Sequence, residues 1–526
     1  MSELLTISNL RITFPGQDEP VQDVSIKISR GESVGVLGAS GAGKSLTAWA
    51  VSGVLPPSGS ITGRIVYTDA KGHTFDLLNN LKNRKGVIGK VITMIPQNPF
   101  TSLNPAIKCG KQVEEMLRNA SLSGEERKTR VLDWLSQLAF EDPGRIYSSY
   151  PLELSGGQLQ RVVIAMATIT NPALLIADEP TTALDTVTQK AVLQWLSDWA
   201  EHDSRSILFI SHDLGVLSSL CSRISIIENG RTINTIEATG LARLSAHPSV
   251  RSFIEHRPEN LRFERGTDTR LNSNSEGLMV RSLTKSFTGR QGMVVDAIKG
   301  VSFTVAKGEC VGLVGATGCG KSTIARILAG LAGADGGEMI FEERPIDYER
   351  FPELRREIQM IFQDPYSALY PHKTVREILA EPIRLHQTAE KNEEEQLIEL
   401  LTQVELPMDL LDKYPDELSG GERQRVQIAR ALSVSPTFLI CDESVSGLDM
   451  PVQAKILGLL HDLKRQTGVA ILFISHDLSV VRCIADRVLI MDSGQIVEEG
   501  RNPEIMQDPQ NVITKAMLEA IPSLKA

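Results

Sequence analysis

The chain has 526 residues, long enough for two or three domains with buried cores. Its composition is that of a soluble globular protein (41% hydrophobic, 23% charged, mean hydropathy −0.07) and contains no apolar run of about 18 residues, so no membrane-spanning helix is expected. A net charge of −10 and a pI of about 5.6 argue against a general nucleic-acid binder. The opening MSELLTISNL has no basic region followed by an apolar one, so no secretory signal is expected. Cys109, Cys221, Cys310, Cys319, Cys441 and Cys483 form no C-x-x-C pair. Neither a disulfide framework nor a zinc site is suggested, and a reducing cytosol fits.

In chain order, the alternation over residues 4–14 and 24–28 reads as strands. Residues 33–37 (SVGVL) are small, apolar and β-branched, as a buried parallel strand should be. The turn that follows, Gly38-Ala39-Ser40-Gly41-Ala42-Gly43-Lys44-Ser45, fits G-x-x-x-x-G-K-[ST], and a helix is predicted from Leu46. Such a loop wraps phosphate oxygens with backbone N–H groups at a helix N-terminus. Lys44 would reach the β- and γ-phosphates and the Ser45 hydroxyl would bind Mg²⁺. Gln97 opens a Pro-rich loop, where an uncharged amide could touch Mg²⁺ or water in one state and leave in another. Val131, Trp134, Leu135 and Leu138 mark a helix face. Leu154-Ser155-Gly156-Gly157-Gln158 precedes a helix predicted over 161–170. A strand over 173–177 then ends in Asp178-Glu179. An aspartate there can hold Mg²⁺ and the next glutamate can polarise a water as general base. His212 follows an apolar strand and could hydrogen-bond a γ-phosphate and Glu179. Residues 251–265, rich in Arg, Glu and His, read as a solvated tail, and Gly266–Gly277 as a short flexible linker.

The second half repeats the first. Strand-like runs at 278–287, 301–305 and 310–314 lead to Gly315-Ala316-Thr317-Gly318-Cys319-Gly320-Lys321-Ser322. Cys319 reads as a packing residue, though its place in this loop also suggests reaction with alkylating agents. Gln363, the helix face of Leu397, Leu400, Leu401 and Val404, then Ser419-Gly420-Gly421, Asp442-Glu443 and His476 follow in the same order. The serine of LSGG lies 23 residues before the first carboxylate in both halves, and the second carboxylate 33 residues before the histidine. Lys44 to Gln97 spans 53 residues but Lys321 to Gln363 only 42, which places an extra excursion near residues 69–86. Two phosphate loops at strand ends, with strands and helices alternating, indicate parallel α/β cores.

Phosphate loop, Gln loop, LSGGQ, acidic pair, A/G-L-D and S-H-D, in that order and twice over, resemble the ATP-binding cassette family across nearly the whole chain. The resemblance implies an α/β fold of two P-loop nucleotide-binding domains. Each would have a parallel-sheet core, an antiparallel β subdomain and a helical subdomain. Residues 1–240 would form the first cassette, 241–277 its tail and the linker, 278–505 the second cassette and 506–526 a C-terminal tail. It implies two ATP molecules with Mg²⁺, held between cassettes paired head to tail. One site would use Lys44, Ser45, Gln97, Asp178, Glu179 and His212, closed by Ser419, Gly420 and Gly421. The other would use Lys321, Ser322, Gln363, Asp442, Glu443 and His476, closed by Ser155, Gly156 and Gly157. Ser45, Gln97 and Asp178, with Ser322, Gln363 and Asp442, would be the Mg²⁺ ligands. Asp185 and Asp449 would link the sites, and Phe14 and Phe287 could stack on adenine. Glu422 replaces the pattern's Gln, and Ser444 stands where the first copy has Pro180, yet neither removes a catalytic group.

The extensions after the glutamines (NPFTSLNP and DPYSALYP) and the tails at 246–251 and 508–524 resemble the peptide/nickel import branch. That resemblance implies an ATPase at the cytoplasmic face of a bacterial inner membrane, powering import of short peptides or peptide-like compounds. Its partners would be two separate permease subunits and, through them, a substrate-binding protein. Peptides, a peptide antibiotic, glutathione and nickel all remain open as cargo. No cysteine cluster follows either cassette, so no iron–sulfur centre is expected. A tandem cassette acting on ribosomes is the rival reading. Such proteins resemble this layout but carry a long charged helical linker, where 266–277 is short and not basic. DNA-repair relatives interrupt their cassettes with zinc-binding cysteines, absent here.

Overall fold

The computed structural model describes residues 2–16, 19–182, 184–202, 204–238, 248–261, 263, 277–288, 294–386 and 392–522. The chain divides into two compact units, one of residues 1–255 with 522–526 and one of residues 256–521. The expected linker 266–277 lies outside the described residues except for Gly277.

Unit 1 is one ten-stranded sheet built from β1 (Glu3–Thr13), β2 (Val21–Ser29), β3 (Ser33–Leu37), β4 (Ser60–Thr68), β5 (Thr74–Asp76), β6 (Ile92–Ile95), β7 (Leu174–Asp178), β8 (Ser206–Ile210), β9 (Arg223–Glu228) and β10 (Arg231–Glu237). Their order is β5-β4-β1-β2-β10-β9-β3-β8-β7-β6. The run β9-β3-β8-β7-β6 is parallel, while β2, β1, β4 and β5 pair antiparallel. Residues of β7 and β8 are buried throughout, as strands covered on both faces must be. The excursion seen in the spacing is the β4–β5 hairpin and the helix Leu81–Val87.

Unit 2 repeats the plan with β11 (Leu278–Thr288), β12 (Val294–Val305), β13 (Cys310–Gly315), β14 (Gly336–Phe341), β15 (Arg344–Pro345), β16 (Ile358–Ile361), β17 (Phe438–Asp442), β18 (Ala470–Ser475), β19 (Arg487–Asp492) and β20 (Gln495–Arg501). Here the strands form two sheets, β12-β11-β14-β15 and β16-β17-β18-β13-β19-β20. The long hairpin of unit 1 shrinks to a two-residue turn, Glu342-Glu343, with φ of 47° and 64°.

Helices cover the sheets. The helix after LSGG starts five residues earlier than periodicity predicts, at Gly156, because Ser155 and Gln158 form a capping box: Gln158 N donates to Ser155 Oγ (3.3 Å) and Ser155 N to Gln158 Oε1 (3.1 Å). Ser419 and Glu422 do the same for Gly420–Leu432. That explains the exchange of Gln for Glu, since both side chains accept from the cap. Beneath the first of these helices, Trp134, Trp195 and Trp199 form a chain of ring contacts 6.1 and 6.4 Å apart, and Trp134 Nε1 donates to Thr168 Oγ1 (3.0 Å).

The reading of 251–265 as a solvated tail is corrected. Val250 and Phe253, on the helix Pro248–Glu255, are 0% and 4% exposed in the core of unit 1. Beyond the unit boundary Arg257 is 5% exposed, and Leu261 and Phe263 pack against the core of unit 2.

An ion pair clamps the first strand of each parallel run. Arg223, opening β9, donates from Nε to Glu32 Oε1 (2.6 Å) and from Nη2 to Oε2 (2.9 Å). Arg487 and Glu309 repeat the fork in unit 2. Burial pulls the Glu32 carboxyl upward, but the hydrogen bonds from Arg223 and the Ser29 backbone, together with the Arg223 charge, outweigh it and hold the group below its usual range. A depressed folded pKa gives stability that is present at neutral pH and lost as pH falls through that value. Thermal melts of wild type and Glu32→Gln should therefore differ at pH 7, with wild type more stable, and the difference should shrink as pH falls through and below the usual carboxylate range.

Candidate functional site

Both phosphate loops are shaped by close backbone approach. A Cβ on Gly38 would lie 2.4 Å from Ile227 O, and one on Gly315 would lie 2.2 Å from Met491 O. Gly43 and Gly320, at the helix N-caps, have φ of 93° and 111°, a region that favours glycine. Ala42 N donates to Ala39 O (3.1 Å) and Cys319 N to Ala316 O (3.3 Å), closing a tight turn in each loop. Ser40, Gly41, Thr317 and Gly318 occupy the tips of these turns.

Lys44 Nζ, buried, donates to Gly38 O and Ala39 O at 2.8 Å each. Lys321 Nζ does the same to Gly315 O (2.8 Å) and Ala316 O (2.9 Å). These carbonyls hold each ammonium over its own loop. Cys319 is 6% exposed, burial pushes its thiol above the usual range, and Lys321 Nζ lies 3.8 Å from its sulfur. This environment disfavours the thiolate that alkylation requires.

The acidic pairs end β7 and β17. Ser45 Oγ donates to Asp178 Oδ1 (3.1 Å) and Ser322 Oγ to Asp442 Oδ1 (3.0 Å). Burial pushes both aspartates up to about 6, against the pull of those hydroxyls. Asp178 Oδ2 is buried with no hydrogen-bond partner among the described residues. A buried carboxylate oxygen left open beside a serine hydroxyl is a hard donor set that fits Mg²⁺. The residues present therefore suit the ion, with Ser45 and Asp178, or Ser322 and Asp442, as its protein ligands.

Glu179 and Glu443 stand one residue past the strands in left-handed conformation, φ 46° and 47°. For a non-glycine residue this costs about 1–2 kcal/mol. Each is anchored by its backbone N–H to the neighbouring strand: Glu179 N to Ile210 O and Glu443 N to Ile474 O, both 3.0 Å. Three side chains converge on the Glu179 carboxylate. Gln97 Nε2 and Thr182 Oγ1 donate to Oε2 (3.1 and 3.2 Å), and His212 Nδ1 is 3.2 Å from Oε1. At Glu443 the partners are Gln363 Nε2 (2.7 Å) and His476 Nδ1 (3.4 Å). Burial alone would raise Glu179, but the His212 hydrogen bond and charge outweigh it and hold the carboxyl at about 2. Glu443 is lowered by His476 in the same way. Burial opposes charge on both histidines, yet the glutamates raise them above the ordinary value. The structure thus brings Lys, Ser, Asp, Glu, Gln and His together in each unit. Thr182 was missed from sequence. Its signal is a hydroxyl residue three positions after the glutamate in both halves, Thr182 and Ser446.

Other expected residues have local partners within their own unit. Ser155 and Ser419 are engaged in their capping boxes. Asp185 accepts from Thr188 N and Oγ1 (3.0 Å each), and Asp449 from Val452 N (3.1 Å), so both act as helix caps. Phe14 packs against the core of unit 1, while Phe287 is 47% exposed with Lys285 Nζ over its ring. No helix among the described residues is long and apolar enough to cross a membrane.

The chain is similar to known proteins along most of its length. The family model described as "ABC transporter" matches residues 21–182 and 298–446. The chain is 36% identical over 558 residues to the glutathione import ATP-binding protein GsiA of Escherichia coli (strain K12), covering 99% of this chain and 89% of that one. It is 36% identical over 559 residues to the same-named protein of Salmonella typhimurium (strain LT2), covering 99% and 90%. Among solved structures, a dimeric post-hydrolysis state of the ATP-binding cassette MJ0796 bound to ADP and Pi aligns with 27% identity, 43% of this chain, 98% of that chain and a TM-score of 0.40.

Gly38→Ala and Gly315→Ala should each displace a loop against a backbone carbonyl. We expect nucleotide affinity to fall at least tenfold, about 1.4 kcal/mol, by fluorescent-ATP titration, with little change in far-UV dichroism. Glu179→Gln and Glu443→Gln should each lower ATP turnover by about 10²-fold or more, as loss of a general base does, with nucleotide binding retained. Near-normal turnover in either variant would show that the two sites are not equivalent.

Proposed function

The chain belongs to the ABC transporter family and is a tandem-cassette ATPase; on that premise we propose that it powers import of short peptides, glutathione among them, through separate membrane permease subunits. The observation that carries the reading is near end-to-end similarity to two proteins named for glutathione import. Glutathione is itself a tripeptide, which agrees with the peptide-branch extensions after Gln97 and Gln363. The absence of a spanning helix among the described residues fits a subunit that docks at the cytoplasmic face of the membrane on permeases encoded separately.

In each cassette the loop N–H groups and Lys44 or Lys321 bind the phosphates. Mg²⁺, when bound, would neutralise phosphate charge. Ser45 with Asp178, and Ser322 with Asp442, hold its place. Glu179 and Glu443 orient and polarise the attacking water. His212 and His476 fix the carboxylate on one oxygen, and Gln97 and Gln363 fix it on the other. Because each glutamine also opens an exposed loop, movement of that loop would release its glutamate, coupling a docked permease to the chemistry. Closure of each site by the opposite Ser-Gly-Gly turn belongs to the same reading and rests on the family resemblance. Hydrolysis then resets the pair.

The test is affinity capture of tagged Glu179→Gln/Glu443→Gln protein from gently solubilised cells with ATP and Mg²⁺. We expect two multi-spanning membrane proteins by mass spectrometry. Recovery of ribosomes with no membrane partner would overturn the importer reading and leave the ATPase assignment standing.

A further inference from the structure

The helix Pro248–Glu255 buries Val250 and Phe253 in unit 1, whereas the next residues belong to unit 2. From His256 the chain turns on itself, with Asn260 N and Leu261 N donating to Arg257 O at 2.9 and 3.2 Å. It then lies on two helices of the second cassette, Met450–Thr467 and Leu478–Ile484. Cys483 Sγ donates to Pro258 O (3.0 Å), and the Phe263 ring stacks on His461 with centroids 5.0 Å apart and planes at 22°. Gly458 lies against the ring: a Cβ there would meet Phe263 at 3.7 Å, an ordinary contact, and only a longer side chain would crowd the seat. Aligning Asp449 with Asp185 (449 − 185 = 264), the positions of Gly458, His461 and Cys483 are Gln194, Ser197 and Ser219 in the first cassette. The seat is therefore particular to the second cassette.

We infer that this seat, with residues 256–261 and Phe263 as its partner segment, is the joint between the cassettes, and that the polar stretch 266–277 is not. The difference is one of reach. If all of 256–277 were a free linker, its root-mean-square span would be about 26 Å. The chain passes from one unit to the other between Glu255 and His256, so the docked residues add no free length to the connection. A joint this short gives each cassette a high effective concentration of the other. It makes their pairing a property of one chain even when 266–277 is cut.

The experiment uses the full-length chain with a protease site inserted between residues 266 and 277. After cutting, gel filtration at micromolar concentration without nucleotide should show both halves eluting together. Gly458→Gln, which restores the first cassette's residue and fills the seat, should make the cut halves separate, and so should Phe263→Ala. Uncut Gly458→Gln should melt near the wild-type temperature and uncut Phe263→Ala somewhat below it, because Phe263 packs against the core of unit 2, and each should still unfold in one cooperative transition. If the cut wild-type halves separate, or if both cut variants still elute as one species, the inference is wrong.

Discussion

One backbone hydrogen bond per cassette carries the chemistry: Glu179 N to Ile210 O, and Glu443 N to Ile474 O, each 3.0 Å. It joins the end of one buried parallel strand to the next. It also holds a glutamate in the left-handed region, where its side chain would not settle unaided. With that bond in place, the carboxylate is presented to a histidine that the adjoining strand delivers two residues on, and to a glutamine from the neighbouring strand on its other side. Aspartate, glutamate and histidine form one cluster because β6, β7 and β8 are neighbours, and the sheet order is what makes them so. The apolar bulk of those strands, buried on both faces, is the scaffold that sustains the strain.

The electrostatics divide labour between adjacent carboxylates. Asp178 and Asp442 are raised by burial and lean on a single hydroxyl, while Glu179 and Glu443, one residue on, are pulled down by histidine. Two groups with nearly the same burial therefore sit on opposite sides of their ordinary values, a pattern typical of sites that assign different tasks to neighbouring acids. The lysines stabilise the glutamates from the loop side, so the site is charge-ordered before any phosphate arrives.

Much of this was legible in the sequence because the signals are local. A strand of five apolar residues, a glycine-rich turn and a lysine-serine pair occupy contiguous positions, and the repeat doubles each signal. What stayed hidden depends on contacts the chain order does not display. The helix start at Gly156 was obscured because two glycines read as loop, although Ser155 and Gln158 already hold the capping-box spacing. The segment 251–265 reads as solvated because its composition is polar. Among its described residues Phe253 and Arg257 are buried and Leu261 and Phe263 pack against the core of unit 2, with no periodicity to betray them. Thr182 was invisible for a related reason, as a hydroxyl is informative only when its partner carboxylate is known. Phe14, whose aromatic character suggested an adenine partner, packs partly buried against the core of unit 1, a contact the sequence alone does not display.

The tryptophans give the two halves different optical characters. All four (Trp49, Trp134, Trp195 and Trp199) lie in the first cassette, and the second has none. Trp49 sits on the helix that begins at Lys44, directly behind the first phosphate loop, and the other three form a contiguous ring cluster beneath the signature helix. Intrinsic emission excited in the tryptophan band therefore comes from the first cassette alone. The molecule carries a built-in spectroscopic label that marks one of two otherwise closely matched cassettes.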